Sequence, residues 1–232
     1  MKLSISLKND IKDLEPVTHL FERHDTEVSV VDNEIILLLN YPEEENKMNA
    51  MSTLIKIGSY VQRFIQSING ASKFVNPAFP VLESAKITYI YKNEKKTIPN
   101  PIEINGSFCI TGGWYDPILP EIVSLICDNV FISKAFRLLT RKQDWITLFN
   151  IENIIEESRF KFSSSSRKQS KIFSGSANIS SVSKDESRHG YIYRYEHPSN
   201  EMTINDAHKY INTLLKEWVY YHINLHRKNN RP

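Results

Sequence analysis

The sequence predicts an α+β protein: a mostly antiparallel sheet with a packed helix in the N-terminal half, followed by a helical C-terminal half. Three observations carry that prediction. Residues 1–113 hold runs that alternate apolar and polar side chains or are rich in β-branched and aromatic residues, as strands require. From Glu121 onward, apolar residues recur at three and four instead of two. Gly112-Gly113 and the Pro-containing Trp114–Pro120 junction separate the two regimes. Strands followed by helices, without regular alternation, argue for α+β over a doubly wound parallel sheet. We therefore expect a sheet-containing region over 1–113 and a helical region over 114–232.

Leu3-Ser4-Ile5-Ser6-Leu7 alternates as a strand, and Leu14, Val17, Leu20 and Phe21 fit a short helix starting near Pro16. His19 and His24 read as surface residues, because no carboxylate or cysteine cluster brackets them at metal-ligand spacing. Glu27–Asp32 and Glu34–Tyr41 form a hairpin around Asp32-Asn33, two residues that tolerate left-handed dihedrals. Ile35 to Leu39 is apolar on both faces, which predicts a strand covered on both sides. After Pro42, Glu43, Glu44 and Glu45 sit where a helix N-terminus favours negative charge. Met48, Met51, Leu54, Ile55, Gly58, Val61, Ile65 and Ile68 mark an amphipathic helix that Asn69-Gly70 should stop. Lys86–Lys92 reads as a strand, Asn93–Lys96 as a turn, and Thr97–Ser107 as a proline-interrupted edge strand.

In the second half, Ile122, Leu125, Ile126, Asn129, Val130, Phe136, Leu138 and Leu139 continue one helical pattern. Asp144 is placed to cap a second helix with Trp145, Leu148, Phe149, Glu152 and Ile155 on one side. Glu152 within that stripe is either buried, and then requires a partner such as Arg188, or lies at its solvated edge. Residues 158–187 are rich in Ser, Lys and Arg and read as a mobile loop, with Arg167, Lys168 and Lys171 as candidate phosphate contacts. Thr203 caps a final helix, with Asp206 favouring its positive end. Its buried stripe is Ile204, Ala207, Ile211, Leu214, Leu215 and Trp218, and its exposed face Asn205, Lys209, Asn212, Lys216 and Tyr220.

The composition narrows the functional classes. Hydrophobic residues make up 41% of 232, enough for a core, and no apolar run approaches the ~20 residues a membrane span needs. The first residues lack the apolar stretch of a signal peptide, so a cytoplasmic location is expected and no membrane partner. Cys109 and Cys127 are expected as reduced core thiols. The net charge of +2 decides nothing about partners. Seven glycines and no glycine-rich phosphate motif lead us to expect no nucleotide cofactor. His222 and His226 share a helical face but lack a third ligand, so no metal is expected.

Charged groups and an imidazole gather near Ser176-Ala177-Asn178 and Lys184-Asp185-Glu186-Ser187-Arg188-His189-Gly190. Here His189 could act as a general acid or base, Arg188 and Lys184 could stabilise charge on phosphorus, and Asn178 could orient the imidazole or the phosphate. Alternatively, Arg188, His189, Asp185 and Glu152 form a structural polar network.

Over residues 121–220 the chain resembles an uncharacterised family of bacterial proteins, through Asp144-Trp145-x-x-Leu148-Phe149 with Glu152, Ser176-Ala177-Asn178, Ser187-Arg188-His189 and the Thr203–Trp218 helix. More distantly, His189-Gly190 before a final helix resembles HEPN domains, helical modules of ribonucleases and of antiviral or toxin systems. Lys184 stands five before His189 where those domains carry arginine, and the serine-rich stretch occupies the place of an expected helix. The resemblance implies a homodimer or a protein partner. It leaves two readings: a non-enzymatic subunit of a bacterial defence or toxin–antitoxin assembly, or a metal-independent ribonuclease or RNA-binding derivative using Arg188 and His189.

Overall fold

The computed structural model describes residues 2–7, 15–21, 26–31, 34–41, 50–76, 81–82, 84–91, 94–99, 118–178, 183 and 201–229. The fold is α+β, as the sequence predicts. The chain divides into two compact units between Asn129 and Val130.

The first unit is built on a five-stranded sheet, β1 (Lys2–Leu7), β2 (Glu27–Val31), β3 (Glu34–Asn40), β4 (Ser84–Tyr91) and β5 (Glu94–Pro99), in the order β2-β3-β1-β4-β5. Every pairing is antiparallel. Register explains the core. Leu3 lies opposite Leu39 and Tyr89, and Ile5 opposite Leu37 and Ile87. Directly opposed residues share a face, and all six of these side chains are buried. β3 lies inside the sheet, but only Ile35, Leu37 and Leu39 are buried; Ile36 and Leu38 on its other face are half-covered. Glu94–Lys96, expected in a turn, already belong to β5; β5 stands last in the order of the described strands, and the edge strand expected over 97–107 is described only to Pro99.

Among the described residues this unit also holds three helices: α1 (Glu15–Leu20), α2 (Ala50–Val75) and α3 (Leu119–Asp128). α3 packs on α1 and α2. α2 does not stop at Asn69-Gly70 but runs on to Val75. Asn69 is buried, and its amide is engaged elsewhere: Nδ2 donates to the Leu82 carbonyl at 2.8 Å and Oδ1 accepts from the Leu82 N–H at 2.7 Å. A side chain so occupied does not compete with its own backbone, which removes the usual reason for asparagine to end a helix. His19 is buried beside Val17 and Leu20, not on the surface. Cys127 is a free thiol on the exposed side of α3, not a core residue. His24, Glu43, Glu44, Glu45, Cys109 and the Gly112-Gly113 break lie outside the described residues.

The second unit is helical: α4 (Val130–Leu139), α5 (Trp145–Glu157), α6 (Ser164–Asn178) and α7 (Ile204–Asn229). The single helical pattern expected through Asn129 is broken there, since Asn129 takes extended dihedrals (φ −124°, ψ 108°). Asp144 caps α5, its Oδ1 accepting from the Thr147 N–H at 2.9 Å. Thr203 caps α7, its Oγ1 accepting from the Asp206 N–H at 3.2 Å and donating to the Asp206 carboxylate at 2.7 Å. The predicted exposed face of α7 is exposed at all five positions.

Among the described residues, no helix is long and apolar enough to cross a membrane.

Candidate functional site

The largest departure from the sequence reading creates the site. Residues 164–178, expected as part of a mobile loop, are α6. Serine is a modest helix former because its hydroxyl competes for the backbone, yet here the hydroxyls find other work. Ser163 Oγ accepts from the Ser166 N–H at 3.1 Å, and its carbonyl takes the first helical bond from Arg167. That is N-cap chemistry, which replaces a missing helical partner. Ser166 Oγ donates to Glu217 on α7 at 2.8 Å. Ser176 Oγ donates to the Ile172 carbonyl and accepts from the Met202 N–H at 2.9 Å. Phe173 and Ala177 are fully buried on the same inner side. The basic residues Arg167, Lys168 and Lys171 are left on the outside, all exposed.

Where α5, α6 and α7 meet lies Glu152, 2% exposed. The solvated alternative is thereby overturned. Its Oε1 accepts from the Tyr210 hydroxyl at 2.6 Å, and its Oε2 accepts from Ser174 Oγ at a marginal 3.5 Å. Ser170, also on α6, is close enough to favour the ionised carboxylate. Four aromatic rings close the surroundings: Phe173 contacts Trp145 (5.9 Å), Phe149 (6.4 Å) and Tyr210 (5.4 Å between centroids). Burial in this apolar setting disfavours the ionised form and pushes the Glu152 carboxyl up to about 7. Hydrogen bonds from Tyr210, Ser170 and Ser174 oppose the shift, and nearby Glu156 adds to it. Burial, then the Glu152 hydroxyl acceptor and its charge, pushes the Tyr210 phenol up as well.

No match is found to any family model, curated protein or solved structure.

Among the described residues Glu152 forms no ion pair and its hydrogen-bond partners are neutral hydroxyls; Arg188, the cationic partner considered from the sequence, lies outside the described residues. Tyr210, the decisive partner, is not foreseen from the sequence. The signal was its place in the apolar stripe of α7, three after Ala207 and four before Leu214. Asn178 closes α6 and is half-buried, with Ser183 Oγ donating to the carbonyl of neighbouring Ala177. Lys184, Asp185, Arg188 and His189 lie outside the described residues, so their juxtaposition with Asn178 or Glu152 is not described. Among the described residues, no group of three or more His, Cys, Asp or Glu is placed to hold a metal ion.

Chemically, a carboxyl near 7 could give or take a proton. Its burial and its bonds to Tyr210 and Ser174 engage both carboxylate oxygens within the helical unit. What the arrangement does is cross-link three helices through one acceptor group.

Proposed function

We propose that the chain is a non-catalytic interaction subunit. The observation that carries this reading is the buried Glu152–Tyr210–serine cluster: an acid strongly shifted by burial is bonded to Tyr210 on α7 and Ser174 on α6, linking them to α5. The resemblance of residues 121–220 to bacterial proteins, and more distantly to HEPN modules, supplies the setting, a defence or toxin–antitoxin type assembly in the cytoplasm, with a homodimer or a protein partner.

One observation favours a second reading. α6 fills the place where the HEPN resemblance requires a helix, with Asn178 at its end. In that reading His189 is the general acid or base, and Arg188 and Lys184 stabilise the phosphorane charge.

Purified protein incubated with labelled single-stranded RNA in the absence of metal separates the two. The subunit reading expects intact RNA. Cleavage that disappears in His189→Ala, with an unchanged melting temperature, would replace it with the ribonuclease. Light scattering on the same sample reads the homodimer directly.

A further inference from the structure

The segment between α5 and α6 is held along a single turn of α7 by three contacts. Trp218 Nε1 donates to Ser158 Oγ at 3.0 Å, the Phe160 ring packs on Tyr221 at 5.4 Å, and Ser166 Oγ donates to Glu217 at 2.8 Å. Glu217 and Tyr221 are four apart, so they lie on one side of the helix about 6 Å from each other along its axis. Residues 158–166 are thus a fixed surface rather than a free loop.

That surface has a distinctive chemistry. Arg159-Phe160-Lys161-Phe162 alternates cations with aromatic rings. Phe160 also contacts Phe162 at 6.1 Å, so three rings, Phe162, Phe160 and Tyr221, run side by side. Tyr221 is 47% exposed, and both phenylalanines are partly exposed. Arg159, Lys161, Arg167, Lys168 and Lys171 are all exposed, and none makes an ion pair among the described residues. Between Ser158 and Asn178 there is no Asp or Glu. Arg159 sits at φ 61°, the left-handed region in which glycine is less strained. The acids nearby define the limits of the patch: Glu217 is bonded to Ser166, and exposed Glu156 and Glu157 bound it on the α5 side.

We infer that Arg159, Phe160, Lys161, Phe162 and Tyr221, continued by the outer face of α6, form a binding surface for single-stranded nucleic acid. Exposed cations track the phosphates, and exposed rings offer stacking platforms that a duplex, with its bases already stacked, cannot use. A purely acidic peptide would satisfy the cations but leave the rings unexplained. The inference rests on the reading of the chain as a non-catalytic interaction protein and names a partner for its helical unit.

The test is fluorescence anisotropy of the full chain with a labelled 20-nucleotide oligo(U), with oligo(dT), a duplex of equal length and poly-glutamate as competitors. Phosphate contacts by all five cations predict about a 100-fold loss of affinity between 50 and 200 mM salt. Arg167→Glu with Lys168→Glu should weaken binding at least ten-fold. Phe160→Ala should weaken it with little change in the salt dependence. Lys86→Glu, an exposed charge reversal in the sheet-containing unit, should leave it unchanged. Both Arg167 and Lys168 are exposed, so thermal melting should show these variants folded. Tyr221→His, which keeps a ring, should bind more tightly than Tyr221→Ala if stacking matters. No binding at 50 mM salt, equal loss with Lys86→Glu, or equal competition by duplex or poly-glutamate overturns the surface. Cutting of the oligonucleotide, read on a denaturing gel, overturns the non-catalytic reading instead and leaves the surface standing.

Discussion

The hydroxyl of Tyr210 donates to Glu152 Oε1 across 2.6 Å, joining two helices whose partners are 58 residues apart in the chain. The pair is buried, and the acceptor is an acid that burial has moved toward neutrality. Its protonation state and the stability of the helical unit are therefore linked, with a definite sign.

The Glu152 carboxyl rises on folding from an ordinary 4.5 to about 7. A raised folded value means that the folded state binds the proton more tightly. The contribution to stability is fully present below about pH 4.5 and is lost as pH rises through 7. The difference is about 3 kcal/mol. Thermal melts from pH 4.5 to 8.5 should show this decline. Glu152→Gln, whose Oε1 can still accept from Tyr210, should flatten it and melt higher than the parent at pH 8. A parent whose melting temperature rises steadily across that range would contradict the account.

Tyr210→Phe removes the shortest bond to Glu152 while keeping the ring against Phe173. A loss of about 1–3 kcal/mol is expected. It should be larger at pH 8, where the carboxylate needs its donor, than at pH 5. Urea unfolding at the two pH values measures both numbers.

Asn69→Ala should be among the more damaging changes in the first unit. It strips partners from both the N–H and the carbonyl of buried Leu82, at about 1–3 kcal/mol for each group left unsatisfied. Asn69→Asp retains an acceptor for the N–H but sets an oxygen against the carbonyl, so it should recover little. Chemical denaturation of the two variants checks this.

Arg159→Gly should raise stability by up to about 1 kcal/mol, because glycine takes φ 61° without a Cβ clash. Ser163→Ala should act in the opposite direction, costing about 1 kcal/mol through the lost cap of α6. Circular dichroism melts of the two distinguish strain from capping.

The strands were legible because alternation is a statement about two faces, and register then placed Leu3, Ile5, Leu37 and Ile87 together. The caps at Asp144 and Thr203 were legible because capping is local. What escaped depends on distant partners. Asn69 reads as a helix stop until Leu82 occupies its amide. The Ser163–Ser166 run reads as disorder until Glu217, Ser163 and the backbone absorb the hydroxyls. Glu152 in an apolar stripe calls for a partner if it is buried, but Tyr210 looks in the sequence like any other residue of such a stripe. The break at Asn129 left no local punctuation, because the residues on either side keep helical spacing.

The strand order has a consequence for synthesis. β1 lies mid-sheet, with Leu3 opposite Leu39 on one side and Tyr89 on the other. At roughly 5–20 residues per second, β4 leaves the ribosome seconds after β3. Throughout that interval one backbone edge of β1 carries unanswered amides and carbonyls beside side chains destined for the core, a template for any passing strand. The nascent chain is most exposed to misassembly while its innermost strand waits for its second neighbour.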